Sequence, residues 1–295
     1  MGIETRMPLG ADLDASLAIA EARFDDMRPG HAKEIIWAAA RGSVTKTAVI
    51  YIHGFSASKG EMRPVPDRVA KALGANLFFT RLPGHGRNGR AMAETELHEW
   101  FEALDEALEI GRRIGERVVI MSCSTGCTLV TAGFAEAWRK DRVVANIMIA
   151  PNFGVQSLAA TLAYLPKAEH WVDKVAGQEV SFEPRNEEHA LWWTNTYPPS
   201  SIVPMMRLIK LARKLGANEL TVPTLAIFNR DDQVVRAGST VRLLEKWGAS
   251  VKSVSAPTEG AVDRYRHVVL GDILSPANTD WGVETMMKWL NSTLR

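Results

Sequence analysis

Ser124 is the residue in this chain best placed by its neighbours to act as a nucleophile. It stands in the stretch 118–131, V-V-I-M-S-C-S-T-G-C-T-L-V-T. The apolar run 118–121 stops at small residues, and a helix-compatible run, 127–137, follows at once. A strand that passes into a helix through one serine holds that side chain out at the sheet edge, where the free N–H groups of the new helix also point. The usual pattern for such a turn is G-x-S-x-G. Here it is S-C-S-T-G, with Ser122 in the first glycine's place and Gly126 retained. The same window also fits a plain strand-to-helix turn with a Ser or Thr cap.

A serine hydroxyl needs a base, and the base needs a partner that fixes its tautomer and stabilises its cation. Seven histidines are available. His267 lies in the loop Arg264-Tyr265-Arg266-His267, after the last expected strand and before the closing helix, where a base would complete the site. His53 and His85 precede glycines in tight loops, and their expected task is to brace those turns. His31 and His98 are expected on the surface. His170 and His189 fall in a long insertion, where contact with a substrate is open to them. The acid should follow the strand expected at 222–229, and the adjacent pair Asp231 and Asp232 stands there. Spacing leaves both open, since adjacent acids also suit a solvated turn. The two cysteines, Cys123 and Cys127, both lie in the elbow, and small, buried, reduced thiols are expected. That usage suits a reducing, cytoplasmic setting.

These residues need a scaffold that brings distant loops together. Helical spacing is expected over 12–26, 61–73, 94–115, 237–247 and 281–294. Strands are expected at 34–39, 47–53, 76–80, 118–121, 143–150, 222–229 and 251–256, with 34–39 pairing to 47–53. Strands alternating with helices imply an α/β fold, a mostly parallel doubly wound sheet, whose active site lies at the carboxyl ends of the strands. The alternation breaks from 153 to 218. This segment holds Trp192, Trp193 and Met205 and reads as a helical cap insertion, leaving 1–152 and 219–295 as the core. Pockets are mostly apolar, so Trp192, Trp193 and Met205 are the expected substrate-binding residues.

Composition narrows the function classes. Of 295 residues, 46% are apolar, enough for a large core, and the net charge is +1 with acids and bases interspersed. No basic tract suggests a nucleic-acid partner. No apolar run is long enough for stable membrane insertion, and 1–14 carries acids with no leader-like core.

Five segments in order carry a resemblance to a known family. They are His53-Gly54-Phe55, Pro83-Gly84-His85-Gly86, the elbow, Asp232-Gln233-Val234-Val235 and His267-Val268-Val269. The chain resembles α/β-hydrolase-fold serine hydrolases of the carboxylesterase and monoacylglycerol-lipase type. The order Ser, Asp, His is that of the family, and the likeness runs from about 35 to 294, weakest in the insertion. The resemblance implies a triad of Ser124, Asp232 and His267, selecting Asp232 over Asp231 by the Val-Val pair two residues on. It implies an oxyanion hole from the Phe55 and Thr125 N–H groups, an acyl-enzyme and no cofactor or metal. The expected partner is a small-molecule ester of short or medium acyl length, or a monoacylglycerol. The same triad could cut a thioester or carbon–carbon bond or transfer the acyl group, and the fold could serve a binding protein. Oligomeric state is not legible.

Overall fold

Side chains alternate across the central strands and build two apolar layers, one on each face of a sheet. The computed structural model describes residues 6–295; the first five, part of the stretch expected to lack a leader, lie outside it. In chain order the elements are α1 (Leu13–Glu21), β1 (Glu34–Ile36), β2 (Thr45–Ile52), α2 (Val65–Leu73), β3 (Asn76–Phe79), α3 (Gly89–Ala93), α4 (Leu97–Ile114), β4 (Gly115–Cys123), α5 (Thr125–Gly133) and β5 (Val143–Ile149). Then come α6 (Val172–Ala176), β6 (Val180–Ser181), α7 (Glu187–Trp192), β7 (Thr196–Tyr197), α8 (Ile202–Ala212), β8 (Thr224–Phe228), α9 (Ala237–Leu244), β9 (Val251–Ser255) and α10 (Thr279–Thr293).

Among the described residues seven strands form the main sheet in the order β1-β3-β2-β4-β5-β8-β9. Every neighbouring pair is parallel except β1 with β3. The chain thus has the expected α/β architecture, a mostly parallel sheet with helices on both faces. Ile50, Ile52, Val118 and Ile120 point into one layer with Trp100 and Leu104 of α4 and Leu129 and Val130 of α5. Val49, Tyr51, Val119, Met121 and Cys123 point into the other, with Val65 and Val69 of α2 and Met286 and Leu290 of α10. Strands covered on both faces read as continuous apolar runs, which is why β2 and β4 stand out in the sequence.

Two expectations are corrected. Residues 34–36 do not pair with β2. They pair antiparallel with β3, Glu34 opposite Phe79 and Ile36 opposite Leu77, because both edges of β2 are taken by β3 and β4. The helix expected over 61–73 is divided. A 3-10 turn spans Lys59–Met62 and α2 begins at Val65, with Pro64 between them and Pro66 in the first turn, where its missing N–H is not needed.

Every loop that carries a candidate residue leaves the carboxyl end of a strand: 53–58 after β2, the elbow after β4, 229–236 after β8 and 256–267 after β9. Residues 153–218 leave the same edge. The last helix of that segment, α8, shares the apolar layer of α4 and α5 through Val203, Leu208 and Ile209. Among the described residues no helix is long and apolar enough to cross a membrane.

Candidate active site

The turn from β4 into α5 explains its own composition. Ser124 has φ 48° and ψ −111°, a region that L side chains rarely occupy. Its N–H is held by the Ile149 carbonyl at 2.9 Å, and its carbonyl accepts from Cys127 and Asn152 N–H at 3.1 and 3.2 Å. Those bonds over-determine the strained residue. A Cβ at Gly126 would collide with the carbonyl oxygens of Ile52 and His53, so glycine is required where α5 passes over β2. Ser122 is fully buried, and its hydroxyl donates to the Ile147 carbonyl at 3.4 Å. The space for its side chain is why serine can stand in the first glycine's place.

His267 Nε2 lies 3.0 Å from Ser124 Oγ, and its Nδ1 lies 2.7 Å from Asp232 Oδ2. With Nδ1 donating to the carboxylate, Nε2 is left to accept the serine proton. Asp232 Oδ1 accepts the N–H groups of Val234 and Val235, both at 2.8 Å. The Val-Val pair is therefore part of the clamp that fixes the acid. Asp231 is separate: its side chain is 72% exposed against 1% for Asp232, and it pairs with Arg266 at 2.7 Å. Burial opposes a charged imidazole, but Asp232, Asp263 and Glu61 outweigh it and raise the His267 pKa. Asp263 also grips the loop itself, since its Oδ2 accepts the N–H groups of His267 and Val268 at 3.0 and 3.2 Å.

Among the described residues neither the Phe55 N–H nor the Thr125 N–H has a hydrogen-bond acceptor. Thr125 is the first residue of α5, whose N-terminal groups have no partner within the helix. His53 braces the other donor. Its Nδ1 donates to the Gly54 carbonyl at 2.8 Å, and its Nε2 accepts the Leu82 N–H at 3.0 Å. Burial holds this ring neutral, well below its ordinary pKa. His85 donates to the Pro83 carbonyl at 3.0 Å. The thiols stay protonated, with burial pushing Cys127 up to about 12 and Cys123 well above its ordinary value. Both are free and buried.

Residues 153–218 touch each of these loops. Thr194 N–H donates to the Ser56 carbonyl at 2.7 Å, and Ser58 Oγ to the Trp192 carbonyl at 2.9 Å. Gln156 donates to the Asp232 carbonyl at 3.0 Å, and Arg185 meets Asp263 at 3.4 Å. The Tyr197 ring stands edge-on to Phe55 at 5.3 Å. Ser124 is only 7% exposed. Of the three expected substrate-binding residues, Met205 comes near the elbow: its sulfur lies 3.4 Å from Nδ2 of Asn152, whose N–H meets the Ser124 carbonyl. Trp192 packs instead against Gly60 and Gly30, and Trp193 is buried edge-on against His189 at 4.6 Å. The surface expectation for His31 is overturned. It is buried, its ring lies 5.0 Å from that of Trp192, and its Nε2 meets the Leu191 carbonyl at 2.9 Å. His98 is exposed and beside Glu96. His189 Nδ1 accepts the Arg185 N–H at 3.1 Å, a bond within the insertion, and His170 is exposed.

Glu61, Asp263, Gln156 and Tyr197 were not marked by sequence. Only the D-x-x-x-H spacing of Asp263 to His267 offered a local sign. Among the described residues no group of three or more His, Cys, Asp or Glu is arranged to hold a metal ion.

Comparison with known proteins places this geometry in context. The model of the alpha/beta hydrolase family matches residues 49–272. A thermostable monoacylglycerol lipase from Bacillus sp. (strain H-257) is 24% identical over 206 residues, 70% of this chain and 78% of that one. Among solved structures, one from a study of the metagenome-derived lipolytic enzymes LipS and LipT superposes with a TM-score of 0.70 at 17% identity, covering 90% of this chain and 99% of the other. A soluble variant of monoglyceride lipase from Saccharomyces cerevisiae gives 0.60 at 16%, covering 89% and 91%.

Proposed function

The chain belongs to the alpha/beta hydrolase family, and from that premise we propose that it hydrolyses carboxylic esters by two-step acyl transfer. The observation that carries the reading is the continuous path from Asp232 through His267 to Ser124, at 2.7 and 3.0 Å, ending at the N-terminus of α5. His267 takes the proton as Ser124 Oγ bonds to the ester carbonyl carbon. The carbonyl oxygen gains the charge and is held by the Phe55 and Thr125 N–H groups, each such donor being worth about 10²–10³ in rate. As the tetrahedral centre collapses, the alcohol leaves with the proton from His267. Water, deprotonated by the same imidazole, then releases the acid and frees Ser124.

The substrate class is a short or medium acyl ester or a monoacylglycerol. Similarity to the Bacillus lipase supports it, as does the apolar surround of Phe55, Tyr197 and Met205. Residues 153–218 act as the cap over a core of 1–152 and 219–295, in a cytoplasmic enzyme. The contacts of Thr194, Gln156 and Arg185 with three site loops favour that role.

The test is turnover of p-nitrophenyl esters from acetyl to palmitoyl, with a serine-directed phosphonate and mass spectrometry to locate the adduct. Wild type should turn over with a chain-length optimum and carry the adduct on Ser124, and Ser124→Ala should do neither. Asp232→Asn should lower kcat by about 10⁴, and Asp231→Asn by no more than about threefold, since its ion pair is exposed. The reverse ranking would remove Asp232 from the site. Labelling without ester turnover would redirect the search to thioester, carbon–carbon or acyl-transfer substrates. Neither labelling nor turnover would favour a binding protein.

A further inference from the structure

Glu61 is a buried acid beside the nucleophile for which the acyl-transfer scheme has no use. It sits in the turn Lys59–Met62 and is 2% exposed. Its Oε1 accepts two hydrogen bonds, from the Gly54 N–H at 2.6 Å and from the Tyr51 hydroxyl at 2.8 Å. A Cβ on Gly54 would lie 3.0 Å from Glu61 Oε2 and 3.3 Å from Ser124 Cβ. Gly54 is therefore the thin wall between the carboxyl and the nucleophile.

The peptide planes show what the contact does. The Gly54 carbonyl and the Phe55 N–H belong to one planar trans unit, so they point in opposite directions. His53 holds that carbonyl, and Glu61 holds the N–H of the preceding unit. Both planes that flank the Gly54 Cα are thus pinned. Glycine, the most permissive residue, would otherwise let them swing. We propose that Glu61 is a positioning residue of the oxyanion hole, gripping the Gly54 N–H so that the Phe55 N–H stays aimed at the carbonyl oxygen attacked by Ser124. The proposal rests on the acyl-transfer reading of the site.

The state of the carboxyl matters, because an ionised acceptor bonds more strongly than a neutral one. Burial pushes Glu61 up to about 7, against the pull of the Gly54 and Tyr51 hydrogen bonds, His267 and Cys123. The groups that face it are Tyr51 on β2, Cys123 on β4 and His267 on its loop, with Cys127 also within its electrostatic reach and Asp232 acting on Cys123. Burial raises the first two well above their ordinary values, so they stay neutral. Glu61 and His267 then both ionise on the acid side of the activity profile, and each favours the charged form of the other.

The experiment compares wild type, Glu61→Gln, Glu61→Ala and Ser124→Ala on one p-nitrophenyl ester across the pH range, with melting temperatures and phosphonate labelling. Glu61→Ala should lose about 10²-fold in kcat, the cost of a displaced donor, with KM within about twofold. Glu61→Gln keeps an acceptor oxygen and should recover most of that loss at alkaline pH. The wild-type acid limb should be steeper than one ionisation. In Glu61→Gln it should fall to a single ionisation with a lower midpoint, because the charge that raises His267 is gone. Should Glu61→Ala not fold, the limb of Glu61→Gln decides alone. Wild-type kcat and limb in the Glu61 variants overturn the proposal and leave the acyl-transfer reading intact. So does a loss that Glu61→Gln shares with unchanged limb shape. A wild type that neither turns over nor labels at Ser124 overturns both.

Discussion

Ser122 and Gly126 answer the same question of space in opposite ways. At 126 the backbone of β2 fills the place of a side chain, so Gly126→Ala forces α5 away from the sheet. It should lower stability by about 1–3 kcal/mol, as overpacking does, and lower kcat further by moving the Thr125 N–H, checked by melting and turnover together. At 122 the hydroxyl already has room and a partner. Ser122→Gly should cost only about 1–2 kcal/mol, one buried hydrogen bond plus the added freedom of the unfolded chain, with turnover within about threefold. At this scale sequence names what local pattern marks. Ser124 is flagged by the strand, the small residues and the helix around it, and His267 by its place before the last helix. Asp231 and Asp232 are alike by spacing alone; the Val-Val pair that follows selects Asp232, and burial set by packing of loops from three strands separates the two. Glu61 and His31 carry no local mark at all. The first is buried by Tyr51 and Gly54, the second by Trp192, whose position 161 residues downstream (192 − 31) no window reaches.

Elements with a strong period were legible, and their partners and ends less so. β2, β4, β5 and β8 announce themselves because both faces are covered. β1 lies at an edge with three residues, so its pairing is decided by which strand still has a free side. Within 153–218, while α8 has eleven residues, two of the helices are too short to show a period, α6 with five residues and α7 with six. Such pieces take their order from the core beneath them, not from helix propensity. Trp192 is one of those anchors, its indole seated over Gly60 and Gly30 with Nε1 donating to Glu188 at 2.9 Å. Arg28 adds to it by donating to the carbonyls of Ala190, Leu191 and Trp193. Trp192→Ala should therefore cost about 2–3 kcal/mol, below the value for a fully buried ring because the residue is half-buried. It should also open 155–192 to limited proteolysis before the core is cut. A core and insertion that become cleavable together would mean that Trp192 supports the whole fold equally.

For the molecule as a whole, the buried ionisable groups set opposing dependences of stability on pH. His31 is held down at about 4 against an ordinary 6.5, first by burial and then by the charge of Arg28. Between those values the unfolded chain takes up a proton that the folded one refuses, so His31 lowers stability as pH falls. Glu61 is raised to about 7 from 4.5, so between those values the folded chain keeps a proton that the unfolded one releases, and stability falls as pH rises. From about pH 7.5 to about pH 5 each contribution changes by roughly 2 kcal/mol, with opposite signs. The two nearly cancel, which hides both in a wild-type melting curve. Single replacements expose them. The melting temperature of Glu61→Gln relative to wild type should be higher at about pH 7.5 than at about pH 5, because wild type alone bears the buried Glu61 carboxylate at the higher pH. For His31→Gln the relative melting temperature should be higher at about pH 5, because wild type alone is pulled toward the protonated unfolded chain. His53, also neutral by burial, is present in every variant and drops out of the differences. Roughly 2 kcal/mol corresponds to a shift of several degrees in a chain of this size. Parallel offsets at both pH values would show that neither side chain changes its proton affinity on folding.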